Sequence, residues 1–206
     1  MKEIERSLGV ARSSVSRWVR DVSLGIDERR ALAARVTEGR LQAAERKAVA
    51  ARLVRREYQE EGRQFARERD ASYAAGCMLY WAEGAKQRHT VALSNSDPEL
   101  LSFFAAFLRE HFAVGDEAMT IYCHLFADHI EHQRSIEEFW LRSIGLPRSS
   151  LRKSMVNSYS KYSAKKRANK LPYGTCKLVV HNTRIVQTIF GSIQEYGGFE
   201  RPEWLD

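Results

Sequence analysis

The chain has 206 residues, 44% of them hydrophobic and 29% charged, which is enough to bury the core of one large or two modest domains and excludes a disordered tail. A formal net charge of +7 favours a polyanionic partner. No run approaches the length of a membrane span and the charged opening residues do not read as a signal peptide, so a soluble cytoplasmic protein without a membrane partner is the expectation.

The charge is unevenly spread. Residues 1–70 carry a net +5 and residues 71–147 a net −5, whereas residues 148–184 hold ten basic residues and no acidic one, and the tail from 185 carries −3. A stretch without a carboxylate, in a chain with 26 of them, is the strongest compositional anomaly.

In "MKEIERSLGVARSSVSRWVRDV", Ile4, Leu8, Val10, Val15, Trp18 and Val19 fall where two short helices would share a core, with Gly9 at the turn. Arg12, Ser13, Ser14, Ser16 and Arg17 are then left facing outward, with Arg20 just beyond. The segment resembles the helix-turn-helix of bacterial and phage repressors and resolvases. That resemblance implies that the second helix enters a major groove by its N-terminal end, where small hydroxyls fit closely and arginine pairs with the guanine edge. Ala11 stands where a capping Ser or Thr is usual, and support for the pair is expected from a helix beginning near Asp27.

Residues 27–70 are rich in Ala, Arg and Glu and read as a helical connector in two or three segments, with Gly39 and Gly62 as the weak points. Leu32, Val36, Leu41, Val49, Leu53, Tyr58 and Phe65 form a thin, irregular stripe rather than heptads, which argues against a strong coiled coil. Most of the connector's charges are expected on a solvated face.

After residue 70 the texture becomes that of a mixed α+β domain, residues 71–206. Strands are expected at His89–Ser94, Met119–Phe126, Leu151–Tyr159 and Cys176–His181; helices are expected at Ser72–Glu83, Pro98–Phe112, Glu131–Ile144 and Thr183–Tyr196. "AFLREHFAVG" and "EFWLRSIGLP" echo one another, pointing to two related halves, each a helix leading to a strand. Trp81, Trp140, Phe103, Phe104 and Phe107 recur at helical spacing and read as core.

The stretch "YAAGCMLYWAEGAKQRHTVALSNSDPELLSFFAAFLRE" resembles the opening of LAGLIDADG homing-endonuclease domains: a helix ending in acid-glycine, a strand, then a helix after "NSDPEL". The chain is similar, too, to regulators that keep this fold without cleaving, among them actinobacteriophage immunity repressors. The resemblance implies a curved sheet lying along a DNA groove. Its motif is degraded, with Met78 where the helix-packing glycine is expected, Gly76 nearby, and Trp81 at the first acidic position. Cleavage in that family needs a carboxylate at the end of each of two such helices, holding divalent metal. Glu83 alone matches, so a nuclease would have to be a homodimer binding Mg²⁺.

"RSSLRKSMVNSYSKYSAKKRANKLPYGTCK" sets basic residues among Ser, Asn and Tyr, the mixture that grips phosphates and reaches base edges. Arg152, Lys153, Asn157, Ser158, Lys161, Lys165, Lys166 and Arg167 are the candidate contacts, the last four in an expected loop. Cys77, Cys123 and Cys176 lack C-x-x-C spacing and read as reduced, buried thiols. His124, His129 and His132 beside Cys123 match no firm zinc signature, and no Walker loop, G-x-G-x-x-G or Ser-His-Asp arrangement stands out. The terminal "EYGGFERPEWLD" is expected to dock by its aromatic residues.

Together these readings predict a helix-turn-helix unit over residues 1–26, a connector over 27–70 and a second DNA-binding domain over 71–206. The expected function is a sequence-specific repressor without cofactor, binding double-stranded DNA as a monomer on an extended, asymmetric site. The alternative is the Mg²⁺-dependent homodimeric nuclease.

Overall fold

The computed structural model describes residues 2–157 and 171–206. It divides into two compact units, Met1–Ala50 and Ala51–Asp206. The division falls inside the expected connector rather than at its ends.

In the first unit, α1 (Lys2–Leu8) and α2 (Arg12–Trp18) are joined at Gly9, whose φ of 65° is the left-handed conformation that glycine takes without strain. Ala11 is the N-cap of α2 and supplies no side-chain cap. Of the six apolar residues expected to share a core, Val15 is buried and Val10 and Val19 are half-buried. Ile4, Leu8 and Trp18 are exposed, Leu8 by 60% and Trp18 by 57%. Two helices of seven residues have too little surface to enclose six apolar side chains. The expected support is also missing, because residues 26–42 of the following helix are exposed throughout.

That following helix, α3 (Ile26–Glu68), is one uninterrupted element rather than two or three. Gly39 sits in open space among strong helix formers. Gly62 is no break but a point of close approach, since a Cβ there would run into the Thr188 carbonyl.

In the second unit, residues 51–68 of α3 belong to the packed body. Gln59 donates to Gln187 at 2.7 Å and accepts from Gln194 at 3.0 Å, while Ser192 donates to the Gly62 carbonyl at 2.8 Å. A second glycine, Gly191, lies against the Gln59 backbone. These partners lie on α7 (Thr183–Gly197), whose residues from Ile185 to Gln194 are all buried. The seam is close-packed and polar, with its amides bonded to one another and to backbone groups such as the Arg88 and Phe190 carbonyls.

Asp70 caps α4 (Ala71–Glu83) by accepting from the Ser72 and Tyr73 amides at 3.1 Å each, and Asp97 followed by Pro98 starts α5 (Pro98–Phe112) in the same way. Gly76 admits the Phe107 ring against α4, so it serves the α4–α5 contact. The strands among the described residues are β1 (Val91–Asn95), β2 (Thr120–Phe126), β3 (Met155–Asn157) and β4 (Thr175–Val180). Their order is β1-β4-β2-β3; β4 is antiparallel to both neighbours, and β2 and β3 are parallel. The molecule is α+β, and each expected strand and helix of this region has its counterpart with ends shifted by a few residues, the end of the third expected strand, Ser158 and Tyr159, lying outside the described residues. The largest difference is at β3, where Leu151 makes only an isolated bridge to Ile121.

The internal echo has a structural counterpart. α5 ends at Ala113 in the left-handed conformation, a 3₁₀ turn follows at Asp116–Ala118, and then β2. α6 (Gln133–Ile144) ends at Gly145 with φ 72°, a 3₁₀ turn follows at Arg148–Ser150, and then β3. Arg109 ties the two halves, donating to Asp116 at 2.8 Å and to the Gly145 carbonyl at 3.0 Å.

The core lies between the helices and one face of the sheet, with Tyr80, Phe104, Trp140, Ile189 and Phe190 against Leu93, Ile121, Leu125 and Leu178. Trp81 and Phe103, expected in that core, are 40% and 43% exposed; Trp81 covers the Phe199 ring at 5.2 Å. The terminal residues dock as expected, with Trp204 against Phe190 at 4.5 Å and the Leu205 carbonyl accepting from buried Arg55 at 2.7 Å. Among the described residues no helix is long and apolar enough to cross a membrane.

Candidate nucleic-acid interface

Two surfaces suit a nucleic acid, one in each unit. On α2, burial of Val15 turns the remaining residues outward: Arg12, Ser13, Ser16 and Arg17 are exposed and Ser14 is half-buried. Arg12 with Ser16, and Ser13 with Arg17, are one turn apart and so neighbours on the helix surface. Arg20 is exposed in the turn beyond. The face offers hydroxyls and guanidiniums without a carboxylate on the helix.

In the second unit the alternation along β2 divides its side chains. Ile121, Cys123 and Leu125 point into the core, leaving Tyr122, His124 and Phe126 half-buried on the opposite face. The register brings Ser94, Lys177 and Tyr122 into one row across β1, β4 and β2, with Thr175 and His124 in the next. Met155 on β3 lies beside His124 and is 51% exposed. The face thus combines a cation, hydroxyls, an imidazole and aromatic rings. Burial lowers the His124 pKa below its ordinary value and the Lys177 charge lowers it further, so both favour the neutral imidazole.

Sequence reading located these strands but not Ser94, Tyr122, His124 and Lys177 as a surface. The signal was the period-two alternation in "TIYCHLF", whose apolar members mark the inner face and therefore the outer one. Of the residues that were expected, Arg152 and Lys153 are exposed just before β3, where the Arg152 guanidinium donates to the Ser149 carbonyl at 3.3 Å. Asn157 is placed in β3 by its backbone. Ser158, Lys161, Lys165, Lys166 and Arg167 lie outside the described residues.

Glu83, the candidate metal-binding carboxylate, ends α4 and accepts from Asn95 at 3.4 Å. The neighbouring Lys86 ammonium donates to the carbonyls of Trp81 at 2.7 Å and Gly84 at 2.6 Å, so a fixed cation caps the helix beside Glu83. Burial lowers the Lys86 pKa, with the Glu83 charge acting in the opposite direction. A divalent cation there would meet that ammonium's charge. His129 is buried, and its Nδ1 accepts from the Phe126 amide at 3.3 Å, which meets the need of one ring nitrogen. Among the described residues no group of three or more His, Cys, Asp or Glu is gathered to hold a metal.

Among the described residues Glu137 is the one buried acidic side chain, hydrogen-bonded by Ser154 at 2.6 Å and by Gln133 and Arg148 at 2.8 Å each. Burial alone would raise its pKa. The three donors together outweigh that and hold it below the usual carboxylate value. Comparison with known protein families, curated proteins and solved structures finds no match for this chain.

Proposed function

We propose that the chain is a sequence-specific double-stranded-DNA-binding regulator of the repressor type, with α1–Gly9–α2 acting as a helix-turn-helix. The observation that carries this reading is α2: its single buried residue turns Arg12, Ser13, Ser16 and Arg17 to solvent on a seven-residue helix with no acid. Hydroxyls and guanidiniums on the leading turn of a helix are what a major groove accepts.

The outer sheet face is the second reader in this proposal, in the manner of a LAGLIDADG-like domain that binds without cutting. Support comes from the Ser94–Lys177–Tyr122 row and from α4 ending in Glu83-Gly84 ahead of β1 and α5. Two unlike readers in one chain suit an asymmetric site bound by a monomer, since symmetric dimers require palindromes. The capping ammonium of Lys86 beside Glu83 weighs against the nuclease.

Selection of preferred sites from random duplexes tests the reading. A lopsided consensus longer than one helix can cover supports it, and a short palindrome contradicts it. Incubation of the selected duplex with the protein and Mg²⁺ tests the exclusion of cleavage; strand scission abolished by Glu83→Gln would establish the nuclease instead.

A further inference from the structure

Cys123 on β2 and Cys176 on β4 face one another directly in the antiparallel register, both on the core face of the sheet and both free thiols. Opposed residues of antiparallel strands have Cβ atoms about 4.5–5.5 Å apart, within small adjustment of the roughly 3.8 Å that a disulfide takes. The third cysteine, Cys77, is buried on α4 rather than in the sheet.

We propose that Cys123 and Cys176 form a reversible cross-strand disulfide by exchange with a low-molecular-weight disulfide, and that this oxidation weakens duplex binding by the sheet. The first half stands on the thiol geometry alone; the second rests on the proposed DNA-binding function.

Access comes from the edge of the sheet. Cys123 is on β2, the strand with which β3 pairs, and Ser154, which immediately precedes β3, donates to the buried Glu137 at 2.6 Å. Among the described residues β3 has three residues, pairs only with β2, and leaves Met155 and Val156 exposed. Short edge strands with few buried contacts open locally at low cost, and opening β3 removes the cover from the Cys123 side of the pair. Cys123 is the attacking thiol because it lies on β2, the strand that β3 borders, whereas Cys176 lies on β4 with β1 and β2 on either side.

In the first step the Cys123 thiolate attacks one sulfur of the small disulfide, forming a mixed disulfide and releasing one small thiolate. In the second, Cys176 gives up its proton, its sulfur attacks Sγ of Cys123, and the second small thiolate leaves. Both thiolates are protonated at the expense of the two cysteines, so the small disulfide is reduced to two thiols as the protein disulfide forms. Closing the bond draws β2 and β4 together between Tyr122 and His124 on one strand and Thr175 and Lys177 on the other. These are the residues immediately flanking the two cysteines, so the outer rows lose their spacing.

The test is to incubate the reduced full chain with 2-hydroxyethyl disulfide and measure intact mass, linked peptides and duplex affinity. The expected product has lost two hydrogens, yields a Cys123–Cys176 linked peptide, and binds duplex several-fold more weakly until dithiothreitol restores it. Cys77→Ala should behave like the unaltered chain, and Cys176→Ala should retain a single small-thiol adduct at Cys123. Modification confined to Cys77, or no linked peptide, overturns the disulfide. A linked peptide with unchanged affinity overturns its coupling to DNA. A reduced protein that binds no duplex overturns the functional reading, while the linked peptide still decides the thiol chemistry.

Discussion

The Gly62 backbone lies against the Thr188 carbonyl with no room for a side chain, and this contact joins the second half of α3 to the core. Adding a methyl group to a close-packed helix crossing forces backbone shifts that cost roughly 1–3 kcal/mol. Gly62→Ala should therefore lower the urea midpoint of unfolding. Gly39→Ala, with nothing within 4 Å of the added Cβ, should instead increase helical stability by about 0.5–1 kcal/mol, visible in the thermal melt of the circular-dichroism signal. Equal effects at the two glycines would refute the distinction.

The buried Glu137 gives the second unit a dependence on acid. Its folded pKa lies below its ordinary value, so the stability it contributes is fully present above the ordinary carboxylate range. That contribution is lost as pH falls through the lowered folded value. Urea unfolding across this window should show the loss in the unaltered chain, and Glu137→Gln should flatten that part of the profile while lowering stability at neutral pH. A profile unchanged by the substitution would mean that the carboxylate is not held ionised by Ser154, Gln133 and Arg148.

On α2, Arg12→Ala and Arg17→Ala should each weaken binding to the selected duplex by about 1–3 kcal/mol where the guanidinium pairs with a guanine, and relax the preference at that base pair. Competition between the selected duplex and single-base variants measures this. Loss of affinity without loss of preference would make these side chains phosphate contacts instead.

On the sheet, Lys177→Ala should lower affinity for every duplex alike and reduce the slope of log affinity against log salt by about one phosphate's worth. Tyr122→Phe, which keeps the ring and removes the hydroxyl, should leave the slope unchanged. Titration at several salt concentrations separates the two.

Much of the fold was legible because the strongest local signals were obeyed. Asp97-Pro98 starts α5, and Gly9, Gly145 and Gly198 adopt the left-handed conformation where helices end. The continuity of α3 was not legible, since the cost of a helical glycine, about 1 kcal/mol, argues for a break at Gly62 until the partner that needs the gap is known. That partner, Thr188, is more than a hundred residues away in the chain. The candidate interface divided the same way: the exposed residues of α2 followed from a local pattern, whereas the Ser94–Lys177–Tyr122 row required the register of three strands distant in sequence. The expected core of the first unit assumed that the helix after Asp27 would cover α1 and α2, but those residues are exposed.

The most direct test of the central claim, that α2 and the outer sheet face engage the same double helix, is a hydroxyl-radical footprint on the selected duplex. The unaltered chain should give an asymmetric footprint, with Arg12→Ala/Arg17→Ala removing one part of it and Lys177→Ala/Tyr122→Ala a different part. A footprint that the sheet substitutions leave unchanged in length and affinity would contradict the account.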